Sequence, residues 1–265
     1  MPQRWPFSDF ARQRACRGRL IISLDLLPPR EALQMAERIG QTIGMFEVGR
    51  NLFLNSGPDF VRALRSRGFE VFLDLRFHDT LRNLVRLATE ATRLGVRMFD
   101  LHCGGNLRDL AATSAAVMRI CRGEGLRRPY ILALAMLSCV EGEHHGDAAV
   151  AGDIRIARFA QRSAQAGLDG VVTSPYEIAK VRELCSRPFI IVAAGVKPDS
   201  VSADGHECLG AAQAMRAGAD YLIASASVWR ASDPLGAVQA LLSEMDRGLR
   251  AGPRLMSEST TPRSL

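Results

Sequence analysis

Short apolar runs alternate with amphipathic segments along most of the chain, and most of the runs end at a polar or charged residue. The runs are brief and aliphatic or β-branched on both faces, which is typical of parallel strands buried on both sides. Helical periodicity is clearest over Pro29–Thr42, Pro58–Arg67 and Leu81–Leu94. The predicted strands are Leu20–Leu24, Met45–Val48, Val71–Leu73, Arg97–Leu101, Tyr130–Met136, Gly170–Val172, Phe189–Val192 and Tyr221–Ala224.

Eight β-then-α units in about 230 residues predict a (β/α)8 TIM barrel, which is an α/β fold. A doubly wound sheet is less consistent with the sequence, because no G-x-G-x-x-G turn follows the first strand. We expect the barrel to form a single domain at residues 19–248. Ends rich in Arg, Pro, Ser and Thr predict a flexible basic extension at residues 1–18 and a disordered tail at residues 249–265.

Composition argues against several classes of protein. Much of the net charge of +6 lies in the two ends, and no basic stripe is interleaved with aromatic residues, so we do not expect nucleic-acid binding. No stretch approaches the roughly 18 apolar residues that a membrane helix needs. The first apolar run ends at Asp25 and is too short for the core of a secretory signal. The six cysteines include no C-x-x-C pair, which is typical of reduced thiols, and we expect a cytoplasmic protein.

Candidate chemistry lies where the predicted strands end, because the carboxyl ends of barrel strands build the active site in this fold. The densest cluster is the run Asp74-Leu75-Arg76-Phe77-His78-Asp79-Thr80. Its arginine stays protonated at working pH and is therefore a fixed cation, whereas general acid catalysis needs a group that can release its proton. The residues at the strand ends are Asp25, Glu47, Asp74, Arg76, Asp79, His102, Ser138, Cys139, Ser174, Gly195 and Ser225.

Some of these residues have a purely structural alternative. Asp25 follows a strand and could cap the next helix. Glu47 lies inside an apolar strand and could form a buried ion pair with Arg50 or Arg76. His102 could be a hydrogen-bonded core residue. The sequence alone leaves these alternatives open.

Longer motifs point to a family. They are Phe46-Glu47-Val48-Gly49-Arg50, Gly57-Pro58-Asp59-Phe60-Val61, Arg67-Gly68-Phe69-Glu70-Val71-Phe72-Leu73 continuing through Thr80, Leu101-His102, Gly167-Leu168-Asp169-Gly170-Val171-Val172, Gly195-Val196-Lys197-Pro198 and Ala217-Gly218-Ala219-Asp220-Tyr221. In these motifs and their order the chain resembles the orotidine 5′-monophosphate decarboxylase family. The resemblance implies a TIM barrel and a decarboxylating lyase of pyrimidine nucleotide metabolism.

The resemblance implies a catalytic set made of Glu47, Asp74, Arg76 and Asp79. The family has Lys-x-Gly-Lys and then Asp-x-Lys-x-x-Asp at the second and third strand ends, and a lysine of this network protonates the carbon that loses carbon dioxide. This chain keeps both aspartates but has Glu47 and Arg76 at two lysine positions. Three carboxylates beside one guanidinium are expected to raise a carboxyl pKa or to recruit a cation.

The ligand side of the site also follows from the resemblance. Asp25 matches an aspartate that binds hydroxyl groups, and His102 and Ser138 match positions that line the pocket. Asp79 and Thr80 match a pair that reaches into the neighbouring subunit's site, which implies a homodimer with shared active sites. We therefore expect a nucleoside, nucleotide or sugar-like ligand.

The phosphate end departs from the family's pattern. Its candidates here are Gly195, Lys197 and Ser225. Ser225-Ala226 stands where the family has Gly-Arg, so the arginine that grips phosphate is missing. Backbone amides of the last two loops could still hold a phosphate, and Lys197 is either a replacement cation or a solvated loop residue.

The parent family implies no cofactor. A related branch, which contains hexulose-phosphate synthase and keto-gulonate-phosphate decarboxylase, has Glu-x-Gly at the second strand and uses magnesium. Glu47-Val48-Gly49 with Asp74 resembles its metal-binding pair, and Mg²⁺ is therefore a candidate ligand of Glu47 and Asp74.

Three functions remain open on these grounds. The first is a diverged decarboxylase-like lyase that acts on a nucleoside- or sugar-like substrate with carboxyl or hydroxyl groups, with or without metal assistance. The second is orotidine 5′-monophosphate decarboxylation itself. The third is a non-catalytic homologue that keeps a nucleoside pocket.

Overall fold

Parallel strands close into a barrel in the computed structural model, which describes residues 16–102, 106–135, 147–196 and 209–251, without side chains over 147–155. Within these residues each of eight strands pairs with its neighbours in sequence, and the first strand pairs with the last, so the predicted (β/α)8 barrel is confirmed. The strands are β1 Leu20–Ser23, β2 Met45–Gly49, β3 Glu70–Phe77, β4 Met98–His102, β5 Tyr130–Leu134, β6 Gly170–Thr173, β7 Ile190–Ala194 and β8 Tyr221–Ala224.

Helices cover the outside of the barrel. They are α1 Pro29–Ile39, α2 Arg50–Ser66, α3 Leu81–Arg93, α4 Leu107–Glu124, α5 Asp147–Gln165, α6 Ile178–Leu184, α7 Ala211–Ala217, α8 Ala226–Trp229 and α9 Pro234–Ala251, with a 3₁₀ turn at Pro175–Glu177. Helix α2 begins eight residues before the predicted start at Pro58. Gly57 breaks it with a φ of 65°, and Pro58 then opens its second part, where a first-turn proline fits.

Two apolar layers hold the fold together. Side chains such as Phe46, Val48 and Phe99 point outward and pack under the helices. Side chains on the alternate positions point inward and fill the barrel, since successive residues of a strand face opposite sides. The inward set is Ile21, Met45, Phe72, Met98, Leu132, Leu134, Val172, Ile190, Val192 and Ile223.

The rim at the amino-terminal ends of the strands is fastened by aspartates that precede strands. Asp169 accepts the N–H of Ile131 at 2.8 Å and contacts Arg128 at 2.8 Å. Asp220 accepts the N–H of Ile191 at 2.9 Å. Each aspartate accepts the N–H of the second residue of a neighbouring strand, which is the stabilising role expected of this rim.

The two predicted extensions, residues 1–18 and 249–265, lie mostly outside the described residues. The domain boundaries at residues 18 and 249 therefore stay predictions. Among the described cysteines, Cys16, Cys121 and Cys185 are buried free thiols. None of the described helices is long and apolar enough to cross a membrane.

Candidate active site

Next to the inward apolar layer, towards the carboxyl ends of the strands, lies a polar layer. It occupies only the wall formed by β1 to β4. Counting two residues onward from Ile21, Met45, Phe72 and Met98 in strands β1 to β4 gives the same-facing positions Ser23, Glu47, Asp74 and Asp100. The corresponding positions on the opposite wall, such as Leu134 and Val192, are apolar. Four adjacent strands therefore bring three carboxyl groups and a hydroxyl together at the carboxyl end of the barrel.

Glu47 is a buried carboxyl group, exposed to only 7%. Its Oε1 accepts a hydrogen bond from the Ser23 hydroxyl at 2.6 Å. Burial raises the pKa of Glu47 to about 8, and the charge of Asp74 adds to the rise, because both disfavour the ionised form. At neutral pH Glu47 is thus mainly a neutral acid. Its hydrogen-bond partner is Ser23, and the predicted ion pair with an arginine is replaced by a weaker, longer-range effect of Arg76.

Asp100 is a member of the site that sequence reasoning missed. It is fully buried in β4, and its Oδ1 accepts the backbone N–H of Arg76 at 3.0 Å. Burial, followed by the neighbouring Asp74 carboxylate, raises the pKa of Asp100 well above its usual range. The signal was available, because Asp100 lies between Phe99 and Leu101 inside an apolar strand.

Arg76 is the cation at the centre of this cluster. Its Nε lies 3.3 Å from Oδ1 of Asp74, and both side chains are partly accessible from the barrel mouth. Among the non-glycine residues that the structure describes, Arg76 alone has a positive φ, at 54°. The β3–β4 pairing is irregular between Leu73 and Phe77, which is where this residue lies.

Asp25 joins the end of β1 to the start of α2. Its Oδ1 accepts the N–H of Leu52 at 2.9 Å and its Oδ2 accepts the side-chain amide of Asn51 at 2.9 Å. The predicted capping alternative is therefore real, although the helix it caps follows the next strand. Gly49 permits this contact, because a Cβ at that position would lie 2.4 Å from Cγ of Asp25.

An open cavity of about 380 Å³ lies over these residues. Negative and positive groups both face it, so it offers a ligand hydrogen-bond acceptors and one or two guanidinium groups. Its lining is Asp25, Gly49, Arg50, Asn51, Leu54, Asp74 and Arg76.

Asp79 and Thr80 lie apart from the cavity lining and are exposed. Asp79 accepts hydrogen bonds from the Asn83 amide at 3.0 Å and from the Thr80 N–H at 2.6 Å, and both lower its pKa. The ring of the exposed His78 lies next to that of the half-buried His102, with 5.1 Å between the centroids and 39° between the ring planes. Burial and then the neighbouring His78 lower the pKa of His102.

The predicted phosphate end follows β7 and β8, and β8 pairs with β1 at one side of this cluster. Gly195 follows β7 with a φ of 83°, and Ser225 follows β8 and precedes the short helix α8. Ser138 and Lys197 lie outside the described residues. The structure thus gathers Asp25, Glu47, Asp74 and Arg76 into one cluster, while neither Gly195 nor Ser225 is part of the cavity lining.

The described residues of the site offer few ligands for a metal ion. The described residues contain no group of three or more His, Cys, Asp or Glu side chains arranged to hold one. Of the predicted pair, Glu47 is hydrogen-bonded to Ser23, and Asp74 already has the Arg76 guanidinium beside it. The magnesium pair stays a prediction, and no step below depends on it.

Comparison with known proteins agrees with this architecture. Residues 18–241 match the family described as "Orotidine 5'-phosphate decarboxylase / HUMPS family". A protein of Syntrophotalea carbinolica named orotidine 5′-phosphate decarboxylase is 36% identical over 240 residues, which cover 89% of this chain and 98% of that protein. A protein of the same name from Geobacter sulfurreducens is 36% identical over 235 residues, covering 88% and 98% of the two chains.

Solved structures resemble the fold. Orotidine 5′-phosphate decarboxylase from Lactobacillus acidophilus superposes with a TM-score of 0.72 at 23% identity, over 86% of this chain and 99% of that one. An uncharacterised conserved protein from Geobacillus kaustophilus superposes with a TM-score of 0.69 at 25% identity, over 85% and 99%.

Proposed function

The chain belongs to the orotidine 5′-phosphate decarboxylase / HUMPS family, and from that premise we propose that it is a decarboxylase-like carbon–carbon lyase with an altered charged site. Its substrate is a carboxylated and hydroxylated molecule of nucleoside, nucleotide or sugar type. The observation that carries the proposal is the pairing of a permanent cation, Arg76, with a buried neutral acid, Glu47.

Arg76 binds the anionic group of the substrate. A guanidinium presents several N–H donors in one plane and matches a carboxylate, but it has no proton to give. It lies at the cavity wall beside Asp74, whose charge presses against a substrate carboxylate and favours its departure.

Glu47 supplies the proton. When the bond between the carboxyl group and the ring or chain carbon breaks, carbon dioxide leaves and the electron pair stays on that carbon. The neutral Glu47 carboxyl donates its proton to the carbon and becomes a carboxylate, which then takes a proton from solvent. A pKa of about 8 keeps the donor protonated at neutral pH.

The remaining site residues bind the rest of the ligand. Asp25 accepts ligand hydroxyl groups with the lone pairs that Leu52 and Asn51 leave open. Gly195, Lys197 and Ser225 form the phosphate end, and His102 and Ser138 line the pocket. The exposed Asp79 and Thr80 complete the site of a second subunit in a cytoplasmic homodimer.

The test uses orotidine 5′-monophosphate, followed by its ultraviolet absorbance, with EDTA or with Mg²⁺. We expect slow conversion by the wild-type protein, no conversion by Glu47→Gln, and faster conversion when Glu47→Lys and Arg76→Lys are combined. The control is Gly44→Ala, which adds a methyl group where no atom lies within 4 Å.

A second function is favoured by the names of the relatives, which are orotidine 5′-phosphate decarboxylases at 36% identity. If the wild-type protein converts orotidine 5′-monophosphate rapidly in EDTA and Glu47→Gln leaves the rate unchanged, this second function is correct. Conversion that appears only with Mg²⁺ would support the metal pair. If the protein binds uridine 5′-monophosphate but converts no carboxylated nucleotide, it is a non-catalytic homologue.

A further inference from the structure

The geometry points to Asp100 as a positioning residue, which holds Arg76 in the conformation from which its guanidinium faces Asp74 and the cavity. This role concerns the protein's own conformation. It does not depend on which substrate the site takes.

The backbone conformation of Arg76 is strained and needs support from its surroundings. A φ of 54° lies in the left-handed region, where the Cβ of an L-residue approaches the neighbouring carbonyl oxygen. Residues other than glycine, asparagine and aspartate seldom stay there unless the surroundings compensate the strain. The irregular β3–β4 pairing around Arg76 also removes the regular strand partner that its N–H would otherwise have.

Asp100 provides that compensation. Its Oδ1 accepts the Arg76 N–H at 3.0 Å, so a side chain of β4 replaces the missing backbone acceptor. Asp100 is fully buried, and water cannot compete for this bond. A return of Arg76 to the ordinary β region would turn its N–H away from Asp100 and leave both groups unpaired.

The Asp100 side chain also lies beside the Asp74 carboxyl group, whose charge contributes to the raised pKa of Asp100. The second oxygen of Asp100, Oδ2, is buried and accepts no hydrogen bond from the described residues. Asp74 in turn accepts from the Nε of Arg76 at 3.3 Å. The backbone and the side chain of Arg76 are therefore both fixed by one carboxyl pair.

The decisive experiment compares Asp100→Asn with Asp100→Leu, two variants of similar size. Asparagine keeps an acceptor for the Arg76 N–H and presents an amide donor to Asp74, whereas leucine offers neither. Crystal structures of both variants give φ of Arg76. Titration with uridine 5′-monophosphate measures binding, and thermal melting measures stability.

The matched control is Asp169→Asn, because Asp169 also accepts a backbone N–H across two strands, but at the opposite rim. We expect Asp100→Asn to keep the positive φ of Arg76 and to bind the nucleotide within about threefold of wild type. In Asp100→Leu we expect φ to become negative and binding to weaken about tenfold or more, which corresponds to about 1.4 kcal/mol. The control should melt at a lower temperature and bind the nucleotide as the wild type does.

The role is refuted if Arg76 keeps its positive φ in Asp100→Leu, or if Asp100→Asn is as defective as the leucine variant. Should Asp100→Leu fail to fold, Asp100→Ser takes its place, because its side chain is too short to reach the Arg76 N–H. Failure of the wild-type protein to bind the nucleotide would count against the proposed function alone, since φ of Arg76 in the crystals still decides the role of Asp100.

Discussion

At the scale of single residues, burial changes what a carboxyl group can do. Glu47 and Asp100 each lie inside an apolar strand, and the loss of solvation raises the pKa of both carboxyl groups. A carboxylic acid can donate a proton, while the guanidinium of Arg76 cannot. In the proposed function, Glu47 therefore takes the proton-donating role and Arg76 the cationic role.

The raised pKa of Glu47 predicts a pH dependence of stability. The folded protein binds this proton up to about pH 8, whereas the unfolded chain releases it near 4.5. Glu47 therefore stabilises the fold fully below pH 4.5, and this contribution is lost as the pH rises through about 8.

Urea unfolding of the wild-type protein between pH 5 and pH 8.5 should show a loss on the order of 3 kcal/mol from this group. In Glu47→Gln the decline should shrink, and the part due to Asp100 should remain. An equal decline in both proteins would contradict the raised pKa of Glu47.

At the scale of elements, the site depends on how β1, β2 and α2 meet. Asp25 follows β1, Gly49 ends β2, and Leu52 lies in the first turn of α2. Asp25 accepts the Leu52 N–H, so one side chain satisfies a helix donor and stands at the cavity wall. The missing Cβ of Gly49 is what lets the three elements approach one another.

We predict that Gly49→Ala destabilises the protein by roughly 1–3 kcal/mol, because its methyl group would overlap the Asp25 carboxyl group. The variant should also bind uridine 5′-monophosphate more weakly, since Asp25 must move from the cavity wall. Gly44→Ala, which has no atom within 4 Å of the added methyl, is the control and should unfold as the wild type does. Equal urea midpoints for the two variants would contradict the prediction, because they would show that Asp25 can move away from the added methyl group without a loss of stability.

At the scale of the whole molecule, the barrel separates a stabilising rim from a reactive one. Asp169 and Asp220 fasten the amino-terminal rim with strand and arginine contacts. The carboxyl rim collects the acids and Arg76 on one wall. Asp79 lies beyond that wall and is exposed.

Mixing two defective variants tests the proposed homodimer. Asp79→Ala and Arg76→Ala should each be inactive alone, and subunit exchange should create heterodimers with one intact site. Because half of the dimers in an equal mixture are mixed, activity should recover to about a quarter of the wild-type value. The assay is conversion of orotidine 5′-monophosphate, or binding of uridine 5′-monophosphate if conversion is too slow.

The control is Asp59→Ala, which removes another exposed aspartate, one that is paired with Arg62. It should retain full activity without mixing. Sedimentation of the wild-type protein as a monomer, or the absence of any recovery after exchange, would rule out shared sites.

The sequence by itself determined the barrel and several members of the charged cluster at its carboxyl rim. Alternation of buried strands with helices is local information, and so is the position of a charged residue at a strand end; hence Asp25, Glu47, Asp74 and Arg76 could be predicted. The family motifs added the expected roles. The sequence did not predict that α2 begins at Arg50, because Gly57 interrupts the pattern that marks the helix.

Only the tertiary structure decided how those residues share charge. The contacts of Glu47 with Ser23, and of Arg76 with Asp100, join residues that lie 24 positions apart and meet only when neighbouring strands pair in the barrel. Burial of the two acids, and with it their raised pKa values, depends on the closed barrel around them. Solvation is a property of the whole fold, so no local pattern could reveal which carboxyl groups keep their protons.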